Sequence, residues 1–172
     1  MASVTSSSGA APPSDVVDRI RGEWRQAYPH LDTAPVEILG RVHRIASISN
    51  QRLDLHLERH GINRSEFTVL SALARADRPL RASEVVSTTM LSGASITKIA
   101  DSLLRRELLL RQKSERDGRV VLLELTDAGR AVVDDEMPRR LTDDEAMIAG
   151  LDPAERETLA LLLRKVCLTL GG

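Results

Sequence analysis

Small polar residues open one short amphipathic segment, and a lysine follows them within one helical turn. These residues are Ser92, Gly93, Ser95, Thr97 and Lys98. Serine is a favourable N-cap residue, so a helix is expected to begin at Ser92. Hydroxyl and ammonium groups there can bind base edges and phosphates, and small residues permit close approach. Free backbone N–H groups at a helix start also favour an anion. The segment is therefore typical of a helix that enters the major groove of B-DNA.

Basic residues are concentrated in this part of the chain. Residues 93–119 contain seven basic and four acidic residues, a local charge of +3, whereas the whole chain has a net charge of −1. The step Asp117-Gly118 between two apolar runs predicts a β-hairpin with Arg116 and Arg119 at its tip. The minor groove attracts guanidinium groups because of its negative potential. Arginines in an isolated hairpin are solvated surface residues about as often as they are DNA contacts. Here a predicted helix-turn-helix precedes the hairpin, which favours DNA contact.

Two further charged residues complete this predicted site. Arg105 follows Lys98 on the same helix and is expected to contact DNA. Asp117 is expected to orient Arg119 through a charge-assisted pair, because a carboxylate is repelled by phosphate.

Helical periodicity accounts for most of the remaining chain. The spacing of apolar residues predicts helices over 15–27, 36–60, 65–75, 82–87, 93–106, 127 onward and 154–170. Two short apolar runs, 108–113 and 119–125, predict strands. Pro138 is expected to end or kink its helix. The order of helix, turn, helix and hairpin predicts a mainly α protein with a small β-hairpin wing, a winged helix-turn-helix between longer helices.

Composition excludes several classes of protein. Hydrophobic residues make up 42% and charged residues 28%, as in globular proteins, and no apolar run approaches the ~20 residues of a membrane span. The single cysteine, Cys167, excludes an internal disulfide. Aromatic residues make up only 2%, which disfavours binding of single strands by base stacking. We expect a cytoplasmic protein without a cofactor. We find no catalytic triad, phosphate loop or supported carboxylate pair, so no enzyme is expected.

The wing segment resembles a known family. Asp117-Gly-Arg119 followed by VVLLELTDAGR is similar to the wing and helix start of MarR-type regulators, and ASEVVSTTMLSGASITKIADSLLRRELL is similar to their helix-turn-helix. The resemblance covers residues 36–170. It implies a homodimer, paired through its N- and C-terminal helices, that represses transcription at pseudo-palindromic duplex DNA until a small ligand binds. The family usually has glycine where this chain has Glu107.

The resemblance also implies that different segments of the chain have different functions. Residues 15–62 would provide dimerisation and a ligand cleft, and the polar residues 1–14, which lack an apolar signal core, are expected to form a flexible leader. Residues 63–126 are the DNA-binding lobe, and residues 127–172 are the C-terminal dimerisation helices.

The additional N-terminal helix resembles a subset of the family in which a tryptophan on that helix lines the ligand cleft. Trp24 would take this role for an aromatic or anionic effector, although packing is the commoner role of such a residue. Arg41, His43 and Arg44 either line an anion cleft or form the polar face of a long helix. Arg75 is added to the candidate ligand residues.

Two features leave alternatives open. His56 and His60 lie four residues apart on one helical face and either share a metal ion or form an exposed or dimer-facing pair; no third ligand is evident, so no metal site is predicted. The acidic stretches 134–136 and 143–145 are expected to form a solvated face.

The alternative function is that of a winged-helix module that binds protein instead of DNA. Its binding would be insensitive to salt.

Overall fold

The computed structural model describes residues 14–89, 91–113 and 120–171. These belong to two compact units, residues 1–48 and 49–172. The first contains helix α1 (Val16–Ala27) and most of helix α2 (Ala34–Leu57). In the part of the chain that the structure describes, none of the helices combines the length and apolar character needed to span a bilayer.

In the first unit, a polar cluster ties α2 to the start of α1. Asp15 caps α1 by accepting hydrogen bonds from the N–H groups of Val17 at 2.7 Å and Asp18 at 3.1 Å. Arg41 on α2 donates to the Asp15 carboxylate at 2.9 Å and to that of Asp18 at 2.8 Å. The backbone N–H of Asp15 and the Arg41 guanidinium lower the pKa of Asp18. This carboxylate therefore stays ionised to lower pH than an isolated aspartate.

The second unit has the predicted winged helix-turn-helix order. A 3₁₀ turn (Glu58–His60) follows α2, and Gly61 ends it in the left-handed conformation. The remaining elements are α3 (Arg64–Ala76), β1 (Leu80–Arg81), α4 (Ala82–Thr88), α5 (Gly93–Arg105), β2 (Leu109–Lys113), β3 (Val121–Leu125), α6 (Asp127–Ile148) and α7 (Pro153–Thr169). The predicted class, mainly α with a small β wing, is confirmed.

The core of this unit is aliphatic except for one ring. Phe67, Leu70 and Leu73 on α3 are buried, as the periodicity predicts. They pack in one cluster with Ile96 and Leu103 of α5 and with residues of the sheet and α6. This packing fixes one face of α5 and leaves its opposite face exposed.

Two predictions about the elements need correction. The sheet has three antiparallel strands in the order β1-β3-β2, because Leu80 pairs with Leu123. β1 has two residues, too few to produce an alternating pattern. α6 does not end at Pro138 but continues to Ile148. A proline removes one N–H donor, a loss that this 22-residue helix tolerates.

The acidic stretch on α6 is not wholly solvated. Asp134 and Asp135 are exposed, but Glu136 has an exposed fraction of 0%. A helix turns by about 100° per residue, so adjacent carboxylates face different directions, and Glu136 points inward.

Candidate nucleic-acid interface

The start of α5 is built by its own hydroxyl side chains. Ser92 is the N-cap, and its Oγ accepts a hydrogen bond from the Ser95 N–H at 3.3 Å and lies 2.9 Å from Ser95 Oγ. Thr97 Oγ1 donates to the Gly93 carbonyl at 3.2 Å. These contacts order the first turn, so that the polar groups predicted to contact DNA lie on a formed helix end.

The exposed face of α5 carries the predicted cations. Thr97, Lys98 and Arg105 are exposed, whereas Ile96, Ala100 and Leu103 face the core. Among the described residues, no carboxylate pairs with Lys98 or Arg105. Both charges are therefore available to an anionic partner, and their contact with DNA stays a prediction.

Polar contacts hold α5 in place beside its apolar packing. Ser102 donates a hydrogen bond to Glu66 Oε1 at 2.7 Å, and Glu66 is buried at the start of α3. Arg106 donates to the His60 carbonyl at 2.7 Å and lies 3.5 Å from Glu66 Oε2. A buried carboxylate with such partners restricts how α5 can rotate or slide.

The turn between α5 and the wing requires a close backbone approach at Gly129. A Cβ atom there would lie 2.0 Å from the Leu108 carbonyl oxygen. Thr126 caps α6 by accepting from the Gly129 N–H at 3.0 Å and donates to the Glu107 carbonyl at 2.7 Å. The Leu-Thr-x-x-Gly sequence thus joins the end of β3 to the start of β2 and fixes the base of the wing.

The wing continues from this base as an antiparallel hairpin. Leu109 pairs with Leu125, and the register continues to Lys113 opposite Val121. The tip residues Arg116, Asp117 and Arg119 lie outside the described residues. Their predicted roles stay predictions.

Comparison with known proteins agrees with this architecture. The MarR family model matches residues 60–120. The HTH-type transcriptional regulator MhqR of Bacillus subtilis (strain 168) is 33% identical over 130 residues, which cover 75% of this chain and 86% of the relative. The chain belongs to the MarR family of transcriptional regulators. This family consists of regulators and not of enzymes, as the sequence predicts.

Solved MarR-type structures show the same fold. The S. aureus MepR–DNA complex has a TM-score of 0.68 at 20% identity and covers 75% of this chain and 93% of that chain. Bordetella bronchiseptica BpsR, whose DNA binding is regulated by 6-hydroxynicotinic acid, has a TM-score of 0.65 at 28% identity. The match covers 76% of this chain and 92% of BpsR.

Four of the candidate effector residues of this MarR-family chain lie in its first unit. Trp24 is 48% exposed, and its ring centroid lies 5.4 Å from that of Tyr28. Arg41 is engaged by Asp15 and Asp18, so its charge is already compensated. His43 and Arg44 are exposed on α2. Their binding of an effector stays a prediction.

The fifth candidate, Arg75, lies in the second unit beside a cavity of about 390 Å³ between α3 and α6. Val133, Met137 and Leu141 contribute apolar walls, and Ser71 contributes a buried hydroxyl without a hydrogen-bond partner among the described residues. A cavity of this size accommodates a small aromatic molecule.

Sequence reasoning missed the charge pair that flanks the exposed face of α5. Arg111 on β2 donates a hydrogen bond to Asp101 on α5 at 2.6 Å. The pair neutralises the carboxylate beside Lys98 and Arg105 and links the helix to the wing. The two residues are ten positions apart on different elements, so no helical or strand spacing identifies them.

Proposed function

We propose that this MarR-family chain is an effector-responsive repressor that binds pseudo-palindromic duplex DNA as a homodimer. The proposal rests above all on the exposed face of α5, where Thr97, Lys98 and Arg105 lie together without a carboxylate partner among the described residues. The opposite face is fixed by the core and by Glu66. A rigid helix with an exposed cationic face fits the major groove, about 12 Å wide.

Each part of the lobe then has a separate role on DNA. Ser92 and Ser95 bring the start of α5 close to a phosphate, and Thr97 and Lys98 reach base edges. Arg105 contacts the backbone farther along the groove. Arg116 and Arg119 enter the flanking minor groove, with Asp117 orienting Arg119. Residues 63–126 form the DNA-binding lobe in this account.

Unpartnered apolar surface supports the homodimer. None of the residues of α7 is buried within the chain, although the helix carries six leucines and valines with exposed side chains. Leu162 is 58% exposed, and Leu168 is 64% exposed. Single chains rarely leave such large apolar surfaces in water. We infer that a second copy covers them, so that residues 15–62 and 127–172 pair two lobes across a two-fold axis.

The effector is proposed to act by selecting one spacing of the two lobes. Two α5 helices bind half-sites about one helical turn, roughly 10 bp, apart. A small aromatic or anionic molecule, bound by residues among Trp24, Arg41, His43, Arg44 and Arg75, favours a dimer whose spacing no longer matches. It can shift this equilibrium only by binding the two spacings with different affinities.

Selection from random duplex DNA at physiological salt tests this proposal. The purified chain is expected to enrich sequences with two inverted half-sites about 10 bp apart. Enrichment is expected to fall when an aromatic acid that binds the protein is added. A pool that remains random after several rounds would contradict the proposal. Enrichment of a single half-site would contradict its dimeric part.

A further inference from the structure

Titratable side chains form a cluster where the end of α2 meets α6. His56, Arg59 and His60 come from α2 and the following turn, and Asp135, Glu136 and Asp143 come from α6. We call these six residues the α2–α6 cluster. Its centre is Glu136, which is fully buried. The exposed face of α5 and the exposed leucines and valines of α7 do not include them.

One side of the Glu136 carboxylate is fully engaged. Oε1 accepts a hydrogen bond from Arg59 and lies 3.0 Å from His60 Nε2. Arg59 also lies 3.3 Å from Asp135 Oδ2. These contacts hold the carboxylate in one orientation.

The second oxygen of the Glu136 carboxylate faces a ring nitrogen of His56. Glu136 Oε2 and His56 Nδ1 are both buried and have no hydrogen-bond partner among the residues that the structure describes. They lie 3.8 Å apart, beyond hydrogen-bond distance. Leaving two such atoms unsatisfied is costly, and buried polar atoms are rarely left so. Two ligands on one tetrahedral zinc ion, each ~2.1 Å from the metal, are separated by about 3.4 Å.

The surroundings of this gap favour a cation. The cluster contains three carboxylates, and the guanidinium groups that face them are Arg59 and Arg139, the latter 3.2 Å from Asp135. The three carboxylates thus outnumber the two guanidinium groups by one. His56 Nε2 lies 3.6 Å from Asp143 Oδ2, so a carboxylate faces the ring nitrogen that does not face Glu136. Metal-binding histidines commonly have a carboxylate beside their second ring nitrogen, although the 3.6 Å separation here is longer than a hydrogen bond.

We propose that His56 Nδ1 and Glu136 Oε2 bind a divalent transition-metal ion of the zinc class. The charge of Asp143 favours the tautomer of His56 that carries its proton on Nε2, and Arg59 and His60 position Glu136. Water completes the coordination. The combination of imidazole and carboxylate selects a zinc-class ion over Mg²⁺ and Ca²⁺, which prefer oxygen ligands alone.

Metal titration of the full chain tests this site directly. The experiment uses untagged, chelator-treated protein that carries Cys167→Ser, because the exposed thiol of Cys167 is a competing ligand. Zn²⁺ is titrated against a chromophoric chelator, and Co²⁺ is titrated by its visible absorption. One equivalent per chain is expected to bind. His56→Gln is expected to weaken binding at least 100-fold, and His60→Gln, which removes a positioning contact, about tenfold.

His43→Gln is the matched control, because His43 is exposed on α2 and lies outside the cluster. It is expected to leave metal affinity unchanged. Circular dichroism checks that each variant is folded. The test substitutes the partly exposed His56 and not the fully buried Glu136, because Glu136→Gln is expected to destabilise the fold. Absence of binding by the Cys167→Ser protein would overturn the proposal. Equal affinities of that protein and its His56→Gln variant would also overturn it.

Discussion

At the scale of single residues, Gly129 occupies a position that excludes a side chain. A Cβ atom would meet the backbone carbonyl of Leu108, which accepts a hydrogen bond from the Thr126 N–H and cannot rotate away. Gly129→Ala is expected to lower the free energy of unfolding by about 2–3 kcal/mol, measured by urea denaturation. Gly150→Ala is the control, because a Cβ there meets nothing within 4 Å. Equal effects of the two substitutions would contradict this account of the wing base. The glycine of the Leu-Thr-x-x-Gly motif thus has a steric explanation, which the sequence motif alone does not provide.

Glu107 presents the opposite case, a side chain where the backbone favours glycine. Its φ is 57°, in the left-handed region. Glu107→Gly is expected to raise the free energy of unfolding by about 1 kcal/mol, because glycine adopts this conformation without steric cost. Glu107→Ala separates conformation from charge and is expected to give no such gain. If alanine stabilises the protein as much as glycine, charge removal and not backbone conformation explains the effect. The sequence indicates the unusual residue, but only the structure gives its backbone angle.

At the scale of elements, the contact between α3 and α5 depends on Glu66. Its carboxylate accepts from Ser102 and from the Asn63 N–H, at 2.7 and 3.0 Å. Glu66→Ala leaves these donors unsatisfied and is expected to cost about 2–3 kcal/mol of unfolding free energy, with a smaller loss for Glu66→Gln. Glu58→Ala removes an exposed carboxylate and serves as the reference in the same denaturation assay. A loss no greater than that of Glu58→Ala would show that Glu66 does not hold α5.

Local signals explain which elements could be predicted from the sequence. The capping boxes at Asn63–Glu66 and Asp152–Glu155 mark the starts of α3 and α7, and both are present in the structure. The burial of Glu66, like that of Glu136, depends on partners distant in the chain. Helical periodicity assigns charged residues to a solvated face by default, so it could not predict these two carboxylates.

At the scale of the whole molecule, the proposed dimer depends on the apolar surface of α7. Leu162→Arg places a charge within this surface and is expected to convert the dimer to a monomer, measured by sedimentation velocity. Glu157→Arg introduces the same side chain at an exposed polar position of α7 and is expected to leave the dimer intact. A protein that sediments as one chain before any substitution would contradict the proposed assembly. The sequence pattern gives the apolar residues of α7 but cannot distinguish burial in the core from burial by a second chain.

The salt dependence of DNA binding tests the central claim most directly. Wild-type affinity is expected to fall linearly with log salt concentration, since each neutralised phosphate contributes a slope of about −0.9. Lys98→Ala is expected to weaken DNA binding. If Lys98 neutralises a phosphate, the substitution also flattens the salt slope by about one. If Lys98 contacts a base edge, the substitution changes which operator sequence is preferred. Lys165→Ala, the same substitution on α7, is expected to leave affinity, slope and preference unchanged. Two results would contradict a DNA-binding role for the exposed face of α5. One is wild-type binding that does not respond to salt. The other is a Lys98→Ala variant that binds every DNA sequence with wild-type affinity.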